Sequence, residues 1–325
     1  MKNIIYLNNS IHYNKMNIEL LQKAGSFHHE IKEKVIKQVK YTNDLQSLCS
    51  FIENEIKCYS SNDETNHGIA FPVGLNKNEV VAHYNPLKTE PNIMFDLNED
   101  ILKIDYGVHI NGNIVDEAFS VTNNPKLFPL MNSSKDALRN MIKELRPDTR
   151  ICSLGEMCEE IVKSYEIEVR PGLFVPVKPI NNVTGHTIDP WNIHGNKMVY
   201  NINNNSTNIV EENETYALEV YTTDGTGTSM MDTTHISHYS VINNNNKEKL
   251  NSDSLAFLDY LNTQFRGLAF SPRQIDYNNH LELIEDLYNN NNIKKYPVLI
   301  EPLCKSHVAQ FEKTIFVGES QSIVI

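Results

Sequence analysis

An α+β fold interrupted by a small helical insert is what this sequence predicts, on three observations. Apolar residues recur at helical spacing in two opening segments. Short runs rich in Ile and Val flank an Asn-Gly turn further on, and two asparagine runs bracket another helical stretch near the end.

The opening helices are expected from about Asn17 to Val39, on Ile18, Leu21, Ala24, Ile31 and Val35, and from Asp44 to Tyr59, on Leu45, Leu48, Phe51, Ile52 and Ile56. From Ile101 to Thr122 the period shortens around Asn111-Gly112-Asn113, a hairpin signal. Ser133 with Asp136, and Ser153 with Glu156, match capping boxes, so further helices are expected to begin at those serines. Strands are expected near Ile167 to Val169, Thr215 to Thr223 and Val308 to Val317. The order helix, helix, strands thus occurs twice, which suggests two related halves sharing one sheet. Residues 1–238 and 296–325 are assigned to one body, and 239–295 to an inserted subdomain with helices at Ser254 to Phe265 and His280 to Tyr288. The runs Asn243 to Asn246 and Asn289 to Asn292 read as solvated loops.

Composition removes several function classes. The chain has 325 residues, enough to bury a sizeable core, and no apolar run long enough for a membrane span. Met1 to Ser10 lacks the h-region and cleavage site of a signal peptide, so a cytoplasmic location is expected. With 29 basic against 41 acidic residues the net charge is -12, which argues against nucleic acid as a partner. Five cysteines, widely spaced and odd in number, fit reduced thiols better than a disulfide framework.

The chemistry begins in the hairpin, where Asp105 and Asp116 interrupt otherwise apolar strands. If the turn is the two-residue Asn111-Gly112 loop, Asp105 faces Ala118, and Asp116 lies two residues along on the same face. Diagonal neighbours are roughly 7–8 Å apart, a span two carboxylates can close around a cation. Glu219 in Tyr216-Ala-Leu-Glu-Val-Tyr221 and Glu312 in Val308-Ala-Gln-Phe-Glu-Lys-Thr-Ile-Phe316 are likewise acids inside apolar strands, although either also suits an exposed pairing with lysine. With His186 in Thr184-Gly-His-Thr-Ile188 they form an oxygen-rich set with one nitrogen. Such a set suits manganese, iron, cobalt or zinc and not a thiolate site.

These five segments resemble, in order, the metal-ligand motifs of type 2 methionine aminopeptidases, which have the pita-bread fold. The resemblance extends to Gly68-Ile-Ala-Phe-Pro-Val-Gly74, Val81-Ala-His-Tyr-Asn-Pro86, Asn192-Ile-His-Gly195, Ser237-His-Tyr239 and Phe265-Arg-Gly-Leu-Ala-Phe270, covering about residues 20 to 317. It implies a pita-bread fold with pseudo-two-fold halves and a winged-helix-like insert. It also implies two divalent metal ions: Asp105 would chelate one, Asp116 and Glu312 would bridge both, and His186 with Glu219 would complete the other. Glu219 would double as general base toward a metal-bridging water. His83 resembles the family histidine that contacts the reacting substrate and is alkylated by fumagillin-type epoxides, and His194 one that touches the substrate backbone. Phe71, Ile193, His238 and Tyr296 correspond to the walls of the methionine pocket.

The implied activity is removal of initiator methionine from nascent chains whose second residue is small, by a monomer working near the ribosome. The family's lysine- and acid-rich N-terminal extension is not found in this sequence, and Lys313 follows Glu312 where the family carries histidine. Two rival readings share the resemblance: a non-catalytic binding protein of the same fold, which would have lost ligands, and a Xaa-Pro aminopeptidase or prolidase.

Overall fold

The side chain of Asn17 accepts hydrogen bonds from the backbone N–H groups of Glu19 and Leu20, and this cap starts α1 (Ile18–Gln38). Asp44 caps α2 (Leu45–Lys57) in the same way through Ser47. The computed structural model describes residues 16–59, 66–242 and 247–325; the Met1 to Ser10 segment and the Asn243 to Asn246 run lie outside these. After the two helices come β1 (His67–Lys77), β2 (Val80–Ala82), β3 (Leu102–Ile110) and β4 (Asn113–Val121). Asn111 and Gly112 both take positive φ, the backbone a tight two-residue hairpin turn needs.

Two more helices follow, α3 (Phe128–Glu144) and α4 (Ile151–Lys163). Neither begins at the expected serine. Ser133 lies inside α3 and bonds back to the Leu130 carbonyl, and Ser153 lies inside α4 and does the same with Arg150. The helices start earlier because Pro129 suits a first turn and Ile151 adds a buried apolar position at the start of α4. Next are β5 (Glu166–Arg170), β6 (Leu173–Pro176), β7 (Lys178–Pro179), β8 (Thr184–Ile188), β9 (Met198–Tyr200), β10 (Thr215–Thr223) and β11 (Met230–Val241). The chain closes with α5 (Ser252–Phe265), α6 (His280–Asn289), β12 (Ile293–Ile300), β13 (Val308–Val317) and β14 (Ser322–Val324).

The expected single sheet is two. One has the order β1-β3-β4, and the other β14-β13-β10-β8-β9 with β7 against β10. Their facing edges, β4 and β13, are joined by side chains and not by a ladder. The Thr314 hydroxyl accepts from the Asp116 N–H at 2.7 Å and donates to its carbonyl at 2.8 Å, and Ser120 does the same with Gln310 at 2.8 and 2.9 Å. Each half keeps its own core. Leu21, Phe27, Leu48 and Ile52 of α1 and α2 pack on Ile104 and Val108, while Leu138, Met141 and Leu154 of α3 and α4 pack on Leu218 and Ile315. This mixed arrangement of two helix-backed sheets is the pita-bread fold that the resemblance implies.

A third sheet, β11-β12-β2, carries the last helices. β11 and β12 pair antiparallel from Met230 opposite Ile300 to Val241 opposite Ile293, and α5 and α6 bury Phe257, Leu261 and Leu287 against Tyr239 and Phe270. No helix among the described residues is long and apolar enough to cross a membrane.

Candidate metal centre and substrate cavity

Register brings the acids together. Asp105 stands opposite Ala118 and Asp116 opposite Gly107, so the two aspartates are diagonal neighbours on one face of the hairpin. On the other sheet Glu219 and Glu312 are direct cross-strand partners, a pairing that repels between like charges unless something compensates. His186 on β8 lies opposite Ala217, two residues before Glu219 on the same face. The two sheets meet along β4 and β13, so the five side chains converge where the halves join.

Ligand atoms of Asp116, His186 and Glu312 lie within 4.8 Å of one another, and His186 Nε2 is 3.8 Å from Asp116 Oδ2. The Nδ1–H of His186 donates to the Thr187 carbonyl at 3.2 Å, which leaves the Nε2 lone pair turned toward the acids. Burial drives His186 down to about 4, so this ring is neutral. The acids move the other way. Burial pushes Asp105 up to about 7 and Glu219 up to about 8, and burial with repulsion from neighbouring carboxylates raises Asp116 and Glu312 well above the usual range. Asp105 Oδ1 and Glu312 Oε1 are buried with no hydrogen-bond partner. Among the described residues no lysine or arginine forms an ion pair with any of the four. Unsatisfied, mutually repelling carboxylate oxygens around a neutral imidazole are the electrostatic counterpart of bound divalent cations. The residues therefore fit divalent metal.

All eleven residues singled out from the sequence line one cavity of about 80 Å³. Phe71 of β1 enters it because Gly107, opposite Asp116, has no side chain: a Cβ there would stand 2.2 Å from the Phe71 ring. His83 follows β2 with φ 68°, a left-handed conformation costly for a non-glycine residue and typical of strained functional positions. Its Nδ1–H donates to the Pro297 carbonyl at 3.1 Å, leaving Nε2 as an acceptor. Its ring lies 5.5 Å from that of His238 and 6.1 Å from Tyr296, and His194 sits 4.4 Å from His186 and 6.4 Å from Tyr296. Burial lowers His83, His194 and His238, so the cavity is walled by neutral imidazoles.

Two participants escaped the sequence reading. Gln310 Nε2 donates to Asp105 Oδ2 at 3.2 Å and to the Tyr221 hydroxyl at 2.7 Å, and lies 3.4 and 3.5 Å from Glu312 and Glu219. Strand period could have found both, since Gln310 is two residues before Glu312 and Tyr221 two after Glu219.

Behind the acids lies a cationic clamp. Glu117 and Lys313, adjacent to Asp116 and Glu312, point to the reverse face, where the Lys313 ammonium meets both Glu117 oxygens at 2.6 and 2.7 Å. Lys32 of α1 adds a bond at 3.1 Å. The pair ties β4 to β13 directly behind two of the acids. Lys313→Met is expected to weaken manganese binding about tenfold, as loss of an outer support typically does, with Lys313→Arg near wild type. Calorimetric titration of metal-free protein reads it.

Residues 19–259 match the model of metallopeptidase family M24. A methionine aminopeptidase 2-2 from Chaetomium globosum is 33% identical over 93% of this chain and 70% of its own length. Among solved structures, a thermophilic Arx1 superposes with TM-score 0.78 at 16% identity, covering 95% of this chain and 91% of its own. Methionine aminopeptidase from Thermotoga maritima gives TM-score 0.60 at 16% identity, covering 94% of this chain and 95% of its own. These structural likenesses carry the fold, and the family match carries more: with three-quarters of its length matched and its buried acids converging on one cavity, the chain belongs to metallopeptidase family M24.

Proposed function

We propose that the chain is a type 2 methionine aminopeptidase that holds two divalent ions with Asp105, Asp116, His186, Glu219 and Glu312 and removes N-terminal methionine when the second residue is small. The observation that carries this is the convergence of those five side chains on a cavity whose other walls are Phe71, Ile193, His238 and Tyr296. When bound, the ions supply Lewis acidity, easing deprotonation of water and stabilising the developing oxyanion.

The protein's own groups do the rest. Glu219 takes the proton of the attacking water. A free α-amino group finds an acidic cluster that internal peptide bonds, lacking that nitrogen, cannot exploit. The slot formed by Phe71, Ile193, His238 and Tyr296 is uncharged and aromatic, which suits an unbranched, polarizable thioether. His83 Nε2, with Nδ1–H committed to Pro297, accepts from a substrate N–H; it is also the atom an epoxide of the fumagillin type would alkylate. His194, over His186, contacts the substrate backbone.

Presence of all five ligands supports catalysis over a binding-only member of the fold. With manganese or cobalt added, Met-Ala-Ser is expected to be hydrolysed about 100-fold faster, in kcat/KM, than Ala-Pro peptides, because a site shaped for methionine loses several buried carbons of contact with alanine. Faster turnover of Ala-Pro would transfer the chain to the Xaa-Pro peptidases, and no hydrolysis of either by metal-loaded protein would favour the binding-only reading.

A further inference from the structure

A second cavity, of about 330 Å³, adjoins the first and shares His83 and Tyr296 with it. Its rim carries the two lysines that open β12, and they differ in one respect. Lys295 is spoken for, bound to both carboxylate oxygens of Glu285 at 2.6 and 2.8 Å. Lys294 makes no ion pair with any described residue; its ammonium rests 4.6 Å from the centroid of the Tyr296 ring. A cation over a ring face still has N–H donors to direct elsewhere, and here the open cavity is beside them. The field of Lys294 also bears on the chemistry, since its charge contributes to lowering both His83 and His194.

The setting makes an unpaired cation informative. The chain carries a net charge of -12, so an anionic stretch of peptide would be repelled on approach. One uncompensated lysine at the shared wall offsets that repulsion locally. The steps of 6.1 Å from the His83 ring to the Tyr296 ring and of 4.6 Å on to the ammonium reach at most about three residues of extended peptide at ~3.3 Å each.

We infer that the second cavity is a downstream subsite in which Lys294 binds a carboxylate of the peptide, two or three residues beyond the cleaved bond. The inference rests on the peptidase reading above. The carboxylate has two sources: an Asp or Glu side chain of a longer chain, or the terminal carboxylate of a short peptide.

The test measures kcat/KM of metal-loaded protein for amidated Met-Ala-Asp-Ser, Met-Ala-Ala-Ser and Met-Ala-Lys-Ser, and for Met-Ala-Ser as free acid and as amide. Wild type should favour the Asp peptide over the Lys peptide about threefold to fivefold, the size of an exposed ion pair, mostly through KM and less so at high salt. Lys294→Met should bring the ratio to about one, and Lys294→Glu should invert it. A preference confined to the free-acid tripeptide assigns the site to terminal carboxylates. Unchanged ratios in both variants, in protein that hydrolyses the neutral peptide, would overturn the subsite alone. Hydrolysis of none of these peptides by wild type would overturn the peptidase reading and this one with it.

Discussion

Asp116→Ala protein is expected to retain at most a trace of divalent metal and to turn over Met-Ala-Ser at less than about 1% of the wild-type rate, since even the groups that merely orient metal ligands are worth about 10–100-fold. Asp116 sits at the seam where the two sheets meet, its backbone held on both sides by Thr314 and its carboxylate among His186 and Glu312. The acids on the strands beside it, Asp105 on β3 and Glu312 on β13, are already assigned to the same centre. The same substitution should act oppositely on the metal-free fold. Glu219 and Glu312 already face each other across strands, and removing one of the four buried carboxylates relieves both desolvation and repulsion. Metal-free Asp116→Ala should therefore unfold at a temperature at or above that of metal-free wild type, whereas a chelator should lower the wild-type midpoint and leave the variant unmoved. Elemental analysis with thermal unfolding, each with and without chelator, checks the pair of effects. Full metal occupancy in the variant would remove Asp116 from the centre, and a large loss of stability in its metal-free form would make its role structural.

That opposition between stability and function explains what the sequence made legible. Asp105 and Asp116 could be placed on one face from the sequence alone because the Asn-Gly loop sets the register and strand side chains alternate. Glu219 and Glu312 were legible as acids inside apolar strands, but each alone also suited an exposed pairing with lysine, and only together with His186 and the two aspartates did they point to a site. What stayed hidden was non-local. Strand period puts Gln310 on the face of Glu312, but its role is set only when β3, β10 and β13 bring Asp105, Tyr221, Glu219 and Glu312 around it. β1 carries Gly, Pro and polar residues at irregular intervals, and its two register shifts against β3 obscure the alternation that would have announced it. The serines of α3 and α4 mimicked caps because a hydroxyl that can bond a nearby amide can equally bond back within a helix. The split into two sheets came from side chains, Thr314 and Ser120, whose hydroxyls do between β4 and β13 what backbone groups do elsewhere.

The segment between β11 and β12 is fastened to the rest of the protein by Arg273, and its replacement by methionine should cost about 3–5 kcal/mol, the usual consequence of leaving a buried charge unpaired. The guanidinium is buried and fully engaged: Nε and one terminal nitrogen meet Glu53 of α2 at 3.3 and 3.2 Å, with further bonds to the Ser50 hydroxyl and the Pro86 carbonyl at 2.8 Å each. Two residues earlier the Ser271 hydroxyl donates to Asn85 at 2.7 Å; Asn85 donates its N–H to Ser237, which donates to the His83 carbonyl. The left-handed backbone of His83 is thus held from the same segment that Arg273 anchors. Two functions can be separated by repairing only one. Glu53→Met with Arg273→Met replaces the ion pair by apolar side chains, which commonly restores stability, yet the Pro86 carbonyl beside the His83 loop still lacks its donor. The double variant should recover most of the lost unfolding free energy while kcat/KM for Met-Ala-Ser stays about tenfold below wild type, in line with other supports of a reacting group. Denaturant unfolding of metal-loaded protein and peptide hydrolysis measure the two quantities side by side. A double variant no more stable than Arg273→Met would deny that the unpaired Glu53 charge is the source of the loss, and one with wild-type turnover would uncouple this anchor from His83.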